Sequence, residues 1–438
     1  SIDVAGWHAS AISMEGPGTG RTTYFGEVDA ITAERITNWT GGYAKGSTVL
    51  TVDSTTGIQV GQVVVVDQID DTVDTGGITQ ANITTGFSPE GCPCPGRTKS
   101  SDPGYNPTPS LSTHRTQQQF LKVVSLDATH ITVTPPLYMN NWRAGQDPEV
   151  WWWASGTGGT ISMSGVEDLT IDGTSIGGVF YNIGIENGYN NWVKNVRSIN
   201  SPRGHVGMVQ SARNEVRNSY FYLTHNGASQ SYGIESFGTS DDLVINNIFH
   251  NVTTPTMGPS PGSVIAFNYS IDMTFTINTS VNTMAHFGTH DSGGGMTLYE
   301  GNQTNGWIAD IPHGNSPLTT LFRNHFRGRD ESTTFPKNQA EIPIVMHAFS
   351  RANNVVGNVL GTSGYHSIYE WSNGPQGDTS NEDRSIYVLD REHSAGIPQD
   401  NLVFSSLLRW GNFDTVTGAV RWNALEIPTA GITYVNGN

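Results

Sequence analysis

The sequence predicts an all-β solenoid, a parallel β-helix, with a β-hairpin module inserted near the N-terminus. Three observations lead to this prediction. The chain of 438 residues contains 51 glycines and little of the Ala, Leu, Glu and Lys mixture that long helices prefer. Only 14% of its residues are charged, against about 25% in an average soluble domain. A short phrase, an asparagine within hydrophobic residues, recurs from about residue 160 onward.

The recurring phrase gives the length of one coil. The first three intervals between its asparagines are 23, 28 and 22 residues, and later ones of 56 and 34 indicate skipped or loop-expanded coils. A period of about 20 to 30 residues built from short strands indicates coils that pair with their neighbours at about 4.8 Å. An amide at one turn position can then bond to the next along the stack, which predicts an asparagine ladder. The asparagines of the phrase are Asn195, Asn218, Asn246, Asn268, Asn324 and Asn358.

The first part of the chain has a different pattern. We interpret residues 1–150 as early coils with the inserted hairpin module and a long loop rich in Gly, Pro, Ser and Thr, and residues 151–438 as the β-helix.

Two hairpins are predicted in this module, one from segments 46–52 and 61–67, the other from segments 118–125 and 130–134. The run Trp151-Trp-Trp153 follows. On a strand its outer two rings share one face, and we expect them to pack rather than to stack on sugar rings.

The composition excludes several kinds of partner. The net charge of −17, without a run of Lys or Arg, argues against nucleic acid and against an anionic membrane surface. The apolar runs are too short for insertion into a membrane. Cys92 and Cys94 could form a local or intermolecular disulfide, remain free thiols or, less favoured, bind a metal. Few cysteines, few charges and a first residue, Ser1, that suggests a processed or trimmed chain lead us to expect a secreted or extracellular protein.

The coil phrases, together with segments 165–173, 298–302 and 320–324, resemble the right-handed parallel β-helix proteins of the pectate-lyase-like superfamily. The resemblance spans roughly residues 155–425 and implies a right-handed coil. That superfamily includes polygalacturonases, pectate lyases, other polysaccharide-degrading enzymes and phage tailspikes.

The chain departs from the catalytic motifs of that superfamily. Gly204-His205-Val206 comes before Asp241-Asp242, the reverse of the order in polygalacturonases, and no Arg-x-Lys follows. The calcium and arginine signature of pectate lyases is also missing. Neither mechanism can be carried over.

The densest group of titratable residues lies between residues 286 and 313. Carboxylates and imidazoles together supply general acids and bases. We expect Asp310 and Glu300 to be the acid and base, with His290 and His313 tuning or replacing one of them. The alternatives are a solvated loop and, less favoured, a divalent metal site. The group consists of His286, His290, Asp291, Glu300, Asp310 and His313.

Alignment of successive coils suggests a second pair of acids. Glu186 and Glu235 would lie two coils apart on one outward face, about 10 Å from each other, with His205 beside them as a substrate-binding residue. A slip of one residue in register would turn both acids inward. Trp307 and Arg323 are further substrate-binding candidates. Arg323 could bind an acidic sugar or pair with an acidic neighbour.

Two functions follow from these patterns. The first is a secreted glycoside hydrolase or polysaccharide lyase that acts on a polysaccharide or glycan surface; no cofactor is identified. The second is a non-catalytic structural or adhesive protein, because the open ends of a β-helix must be capped or paired. Such ends could stack into homo-oligomers or filaments.

Overall fold

The computed structural model describes residues 10–15, 35–69, 101, 115–153, 160–225, 231–258, 261–273, 286–290, 295–311, 315–330, 340–372, 379–391 and 399–428. These residues are almost entirely strands and turns, and the only α-helices in the described part of the chain have four residues each. The elements are β1 (Ser10–Glu15), β2 (Ile36–Gly41), β3 (Val49–Val52), β4 (Val63–Asp67), β5 (Gln118–Leu126), β6 (His130–Thr134), β7 (Glu149–Trp151), β8 (Ile161–Ser162), β9 (Gly165–Glu167), β10 (Thr170–Asp172), β11 (Tyr181–Glu186), β12 (Gly188–Tyr189), β13 (Trp192–Lys194), β14 (Arg197–Ser201), β15 (Gly204–Val209), β16 (Glu215–Arg217), β17 (Tyr220–Thr224), β18 (Tyr232–Phe237), β19 (Leu243–Ile245), β20 (Ile248–His250), β21 (Thr254–Met257), β22 (Val264–Ala266), β23 (Tyr269–Ile271), β24 (Phe287–Thr289), β25 (Leu298–Glu300), β26 (Gln303–Thr304), β27 (Trp307–Ala309), β28 (Thr320–Phe322), β29 (His325–Phe326), β30 (Ile344–His347), β31 (Asn354–Val356), β32 (Val359–Leu360), β33 (Ile368–Ser372), α1 (Thr379–Glu382), β34 (Ser385–Arg391), α2 (Leu402–Ser405), β35 (Leu408–Trp410), β36 (Asn412–Asp414) and β37 (Ala419–Arg421).

Three long sheets run along the helix, and each strand pairs with its counterpart in the next coil. Sheet 1 has the order β1-β11-β15-β18-β21-β24-β27-β30-β34-β33, sheet 2 the order β9-β13-β16-β19-β22-β25-β28-β31-β35, and sheet 3 the order β10-β14-β17-β20-β23-β26-β29-β32-β36-β37. All pairs in these sheets are parallel except β36 with β37. Crossovers between parallel strands are right-handed in nearly all proteins, and the chain forms the right-handed parallel β-helix that the sequence predicts.

The interior is filled by one residue from the middle of each short strand. Sheets 2 and 3 contribute strands in which a buried residue stands between two more exposed ones, as in β16 and β17. Because the coils are in register, these residues form columns along the axis: the rings of Phe221 and Phe249 stack with centroids 5.2 Å apart. A single apolar core therefore extends through the coils.

A column of buried asparagines lies at the turn between sheets 2 and 3. From Asn268 onward, each side-chain oxygen accepts hydrogen bonds from the backbone N–H and the Nδ2 of the asparagine in the preceding coil, at 2.8–3.0 Å. The oxygen of Asn247, the first member, accepts from the backbone N–H of Ser219 at 3.0 Å. The same amides also donate to carbonyl oxygens of sheet 2, for example from Asn268 to Val244. The column satisfies polar groups that the turn would otherwise bury unpaired. Its members are Asn247, Asn268, Asn302, Asn324, Asn358 and Asn412.

The predicted ladder exists, but half of the predicted asparagines belong to a different column. Asn195, Asn218 and Asn246 lie one position earlier, with φ of 53°, 54° and 57°, where asparagine is one of the few residues that tolerate a left-handed backbone. Their side chains are exposed, and Asn246 donates to Asn218 at the surface. The interval of 56 residues spans a coil whose ladder residue is Asn302.

The N-terminal strands, apart from β1, form a closed antiparallel barrel in the order β2-β3-β6-β5-β4-β7. The predicted hairpin of segments 118–125 and 130–134 is confirmed by the pairing of β5 with β6. The other predicted hairpin is wrong, because β3 pairs with β6 and β4 with β5. Closing a barrel requires these non-local pairs. The domain boundary at residue 150 stays a prediction.

The barrel packs against the corner between sheets 1 and 2. The backbone N–H of Phe120 donates to Oγ of Ser240 at 3.2 Å, and the hydroxyl of Tyr138 donates to Asp241. All three residues of the Trp151-Trp-Trp153 run are buried, and the outer two lie in the cluster that also contains the helix residue Tyr189. The prediction that these rings pack is confirmed.

Within the described residues, no helix has the length and hydrophobicity needed to cross a membrane. Cys92 and Cys94 lie outside them.

The asparagine column should contribute measurably to stability. We expect Asn324→Ala to lower the free energy of unfolding by about 1–3 kcal/mol, since buried partners in the neighbouring coils lose their bonds. The matched control is Asn246→Gly, in the exposed column, where glycine keeps the left-handed backbone. Chemical denaturation measures both variants, and equal losses would contradict the role of the buried column.

The turn between sheets 1 and 2 predicts a dependence of stability on pH. Asp242 accepts from the backbone and side chain of Asn214 at 2.9 and 3.2 Å, and burial raises the pKa of its carboxyl from 3.8 to about 7. The folded protein therefore holds this proton more tightly than the unfolded chain. The contribution of the protonated Asp242 to the free energy of unfolding is complete below pH 3.8 and is lost as the pH rises to about 7.

The matched variant for this test is Asp242→Asn, which keeps the accepting oxygen and cannot ionise. Denaturation of both proteins across that pH range should show the wild type losing stability relative to the variant as the pH rises. Parallel curves would mean that Asp242 is not held in its protonated form by burial.

Candidate active site on the outer face of sheet 1

A tyrosine ring lies across the outer face of sheet 1 where two glycines make room for it. A Cβ atom at Gly204 would come within 2.8 Å of the ring of Tyr181, and one at Gly207 within 2.6 Å. Both glycines are on β15, the strand next to β11, which carries the tyrosine. The ring can therefore extend over β15, and its hydroxyl donates to Glu235 on β18.

Glu235 is a buried carboxylate with two strong partners. Arg203, at the corner before β15, donates from Nη2 to Oε1 at 2.5 Å, and the two side chains are 8% and 1% exposed. The guanidinium lies over the rings of Phe180 and Tyr232, at 5.4 and 5.2 Å from their centroids. Burial raises the pKa of Glu235, and Arg203, the Tyr181 hydroxyl and His290 each oppose that rise. Burial thus favours the protonated form of Glu235, whereas the neighbouring charges and the tyrosine hydroxyl favour its ionised form.

A histidine and an aspartate form a second pair on the same face. His290 follows β24 and Asp310 follows β27, and Nδ1 of the imidazole lies 2.5 Å from Oδ2 of the carboxylate. The side chains are 24% and 17% exposed, so this pair is more accessible than Glu235. Because Nδ1 faces a carboxylate, the neutral ring carries its proton there, which makes Nε2 its basic nitrogen.

The register places the two pairs in one cluster. Glu235 is in line with Gly288 of β24 and Ile308 of β27, and His290 and Asp310 come two positions after those residues. An offset of two keeps a side chain on the same face of a strand. Electrostatics agrees with this placement: burial raises the pKa of Glu235 and His290 opposes part of that rise, while burial and, to a smaller extent, Asp310 raise the pKa of Tyr232.

Of the other predicted acids, Glu186 lies on the same sheet as Glu235. Its register partner is Val209, which pairs with Phe237, so it lies two positions beyond Glu235 and on the same face. The alignment expected from the sequence paired Glu186 with Glu235, whereas the structure aligns Glu186 with Phe237. The difference is two residues, so both acids still point to the same face of the sheet.

The expectation that His205 lies on the outer face is corrected. The ring is fully buried, lies against Phe221 with centroids 5.4 Å apart, and its Nδ1 is 2.7 Å from Oγ of Ser198. Those two residues face the interior of the helix. Burial lowers the pKa of His205 to about 3, so the ring is a neutral part of the core.

The expected pairing of Glu300 with Asp310 is also corrected. Glu300 is on β25 of sheet 2, whereas Asp310 follows a strand of sheet 1. The carboxylate of Glu300 forms an ion pair with Arg323. Of the two roles considered for this arginine, the structure therefore shows pairing with an acidic neighbour. The nine residues between Glu300 and Asp310 carry the chain from one sheet to another, so proximity in sequence does not bring them together.

Trp307 faces the core instead of a ligand. Its side chain is fully buried, and its ring contacts Tyr299 with centroids 6.1 Å apart. His313 and Asp291 lie outside the described residues. No group of three or more His, Cys, Asp or Glu side chains within the described ranges is arranged to hold a metal ion.

Sequence reasoning missed Tyr181, Arg203 and Tyr232. The signal that could have found them is the spacing of glycines: with the coils in their true register, Tyr181, Gly204 and Tyr232 occupy one position. A large ring next to a residue without a side chain indicates that the ring crosses the neighbouring strand.

Of the known protein families, curated proteins and solved structures, only solved structures match this chain. No protein-family model matches the sequence, and no curated protein matches it. The chain is similar to the crystal structure of the tailspike protein gp49 from Pseudomonas phage LKA1, with a TM-score of 0.49 and 10% identity over 82% of this chain and 50% of that one. It thus spans about half the length of that tailspike.

Two further structures are similar at lower scores. The Gp54 tailspike of Acinetobacter baumannii bacteriophage AP22, in complex with A. baumannii capsular saccharide, has a TM-score of 0.34 and 10% identity over 85% of this chain and 66% of that one. The catalytic unit of the GH87 α-1,3-glucanase from Streptomyces thermodiastaticus has a TM-score of 0.24 and 8% identity over 89% and 95%. Scores this low transfer neither a ligand nor an activity.

The position of the Tyr181 ring can be tested by filling the space it occupies. We expect Gly207→Ala to destabilise the protein by about 1–3 kcal/mol, because the new methyl group would overlap a ring that is itself buried. Gly177→Ala is the control, since a Cβ there meets nothing within 4 Å. Thermal unfolding compares the two, and equal melting temperatures would show that the ring does not lie over β15.

Proposed function

We propose that this protein binds a polysaccharide along the outer face of sheet 1 and hydrolyses it there. The observation that carries the proposal is the cluster of a partly exposed His290–Asp310 pair and the buried acid Glu235 on one face. Titratable groups with opposed environments on a single surface are the usual arrangement of acid–base catalysis. The composition further supports an extracellular or secreted setting for such an activity.

The two pairs would have different roles. Nε2 of His290 would take a proton from a water molecule as its oxygen attacks the anomeric carbon, and Asp310 would stabilise the resulting imidazolium. Glu235, whose pKa is raised by burial, would donate its proton to the glycosidic oxygen as the bond to the anomeric carbon breaks. Both groups then return to their starting states by proton exchange with water.

Hydrolysis fits this cluster better than elimination. A lyase must neutralise the carboxylate of a uronic acid, and an arginine commonly does this by bidentate pairing. Arg203 is already engaged by Glu235 at 2.5 Å. The carboxylates of Glu186 and Asp310 on this face would also repel a polyanion. We therefore propose a neutral glycan as the substrate class.

A second candidate is a structural or adhesive role without catalysis. It is favoured by apolar side chains at the C-terminal end of the described helix, where Trp422 and Leu425 are 62% and 91% exposed. Exposed apolar groups near the end of a solenoid could bury themselves against another subunit. Light scattering and electron microscopy would detect such assembly.

The catalytic proposal predicts a contrast between three variants. Asp310→Asn and Glu235→Gln should each lower kcat on a cleaved neutral polysaccharide by about 10²- to 10⁴-fold. Glu300→Gln, in sheet 2, should leave kcat within about twofold of the wild type because an exposed ion pair contributes little beyond its own site. Release of reducing ends measures all three.

Circular dichroism spectra and melting temperatures of the three variants verify that the fold is intact. Loss of activity in Glu300→Gln but not in Asp310→Asn would contradict the assignment of the site. If no polysaccharide in a broad panel is cleaved by a folded wild type, the non-catalytic candidate takes its place.

A further inference from the structure

We infer that the outer face of sheet 3 is a second glycan-binding surface, separate from the cluster on sheet 1. Three neighbouring strands, β17, β20 and β23, place aromatic and aliphatic side chains outward in two rows. Tyr220, Ile248 and Tyr269 share one register row, and Tyr222, His250 and Ile271 share the next. The residues between these rows, Phe221, Phe249 and Ser270, are buried. We call the six outward residues the tyrosine face.

The rings of the tyrosine face are ordered against one another. Tyr220 and Tyr222 are nearly parallel, with an interplanar angle of 13° and centroids 6.1 Å apart. The imidazole of His250 packs against Tyr222 with centroids 4.8 Å apart. These contacts form a platform of three rings on the outside of the helix, where no contact with the core requires them.

A chain of hydrogen bonds fixes the platform. The hydroxyl of Tyr220 lies 2.8 Å from Nδ1 of His250, and Nε2 of that histidine lies 3.1 Å from Oδ2 of Asp272. With a proton on Nε2 facing the carboxylate, Nδ1 accepts a hydrogen bond from the hydroxyl of Tyr220. The side chains of His250 and Asp272 are 30% and 38% exposed. A surface that is rigid before it binds loses less conformational entropy on binding.

The chemistry of the tyrosine face matches a sugar better than other ligands. A pyranose ring has a C–H face that can lie on an aromatic ring and hydroxyl groups at its edge that can bond to tyrosine, imidazole and carboxylate groups. Exposed apolar area is present, with Ile248 44% exposed, but polar groups interrupt it on every strand. The net charge of −17 would repel a polyanion, so a neutral ligand is favoured.

The spacing suits a linear chain that runs along the helix axis. Tyr220 and Tyr269 are two strands apart, which corresponds to about 10 Å.

The tyrosine face also lies on the same coils as Glu235, because β17 and β20 are the sheet 3 strands directly before and after β18. Since β14 ends at Ser201 and β15 begins at Gly204, sheets 3 and 1 meet at a short corner. The identity of the ligand as a neutral glycan rests on the proposed function.

The experiment measures polymer binding apart from cleavage. Asp310→Asn protein serves as the parent, and its migration is followed in native gels that contain soluble β-glucan, xylan, galactomannan or dextran. We expect at least one polymer to retard the parent, and we expect Tyr222→Ala with Tyr269→Ala to weaken that retardation about tenfold. Trp422→Ala, an exposed aromatic residue elsewhere, is the control and should migrate like the parent.

A second measurement separates this inference from the proposed function. In the otherwise wild-type protein, the two tyrosine substitutions should leave kcat on short oligosaccharides unchanged and raise KM on the polymer. One outcome is that a polymer retards the parent, the two tyrosine substitutions abolish this retardation, and the wild type cleaves no polysaccharide. That outcome would support the tyrosine face as a glycan-binding surface and reject the proposed hydrolase activity. Cleavage of a polymer with retardation unaffected by the substitutions, or no retardation of the parent by any polymer, would overturn the second surface.

Discussion

The structure depends on one constraint, that each coil must repeat the turn of the coil before it. The buried asparagine column enforces this, because each side-chain oxygen after the first accepts two hydrogen bonds from the preceding coil, as Asn302 does from Asn268. A coil that changed its turn would leave these groups buried and unpaired, which costs more than a lost surface contact. The loops between strands are free of this requirement, which is why the spacing between ladder residues varies from 21 to 54 residues.

Fixed coils convert distant parts of the sequence into neighbours on a surface. Tyr181 and Glu235 are 54 residues apart in sequence and hydrogen-bonded in space. His290 and Asp310 are 20 residues apart and meet because adjacent coils place them at one position. The candidate site is therefore a property of the register between coils, and a group of titratable residues along the chain is a poor guide to it.

These facts explain how far the sequence could predict the structure. Composition and the repeated phrase predicted the solenoid, since every coil repeats them. They could not decide between Asn246 and Asn247, adjacent asparagines of which only the second is buried, because both positions favour asparagine for different reasons. Glu300 was grouped with Asp310 because the sequence does not show where a coil turns from one sheet to the next. The barrel pairing was missed because closure brings together strands that are not consecutive.

Buried ion pairs alone do not identify the site. Arg115 with Asp67 in the barrel and Arg391 with Glu382 near the end of the helix are as buried as Arg203 with Glu235. Such pairs are weak contributors to stability, because desolvation offsets their attraction. What distinguishes the Glu235 pair is its setting: the partly exposed His290, which is paired with Asp310, acts on the charge of Glu235 from the same face. Neither of the other two buried pairs has this neighbour, and this difference supports the proposal that places the chemistry on sheet 1.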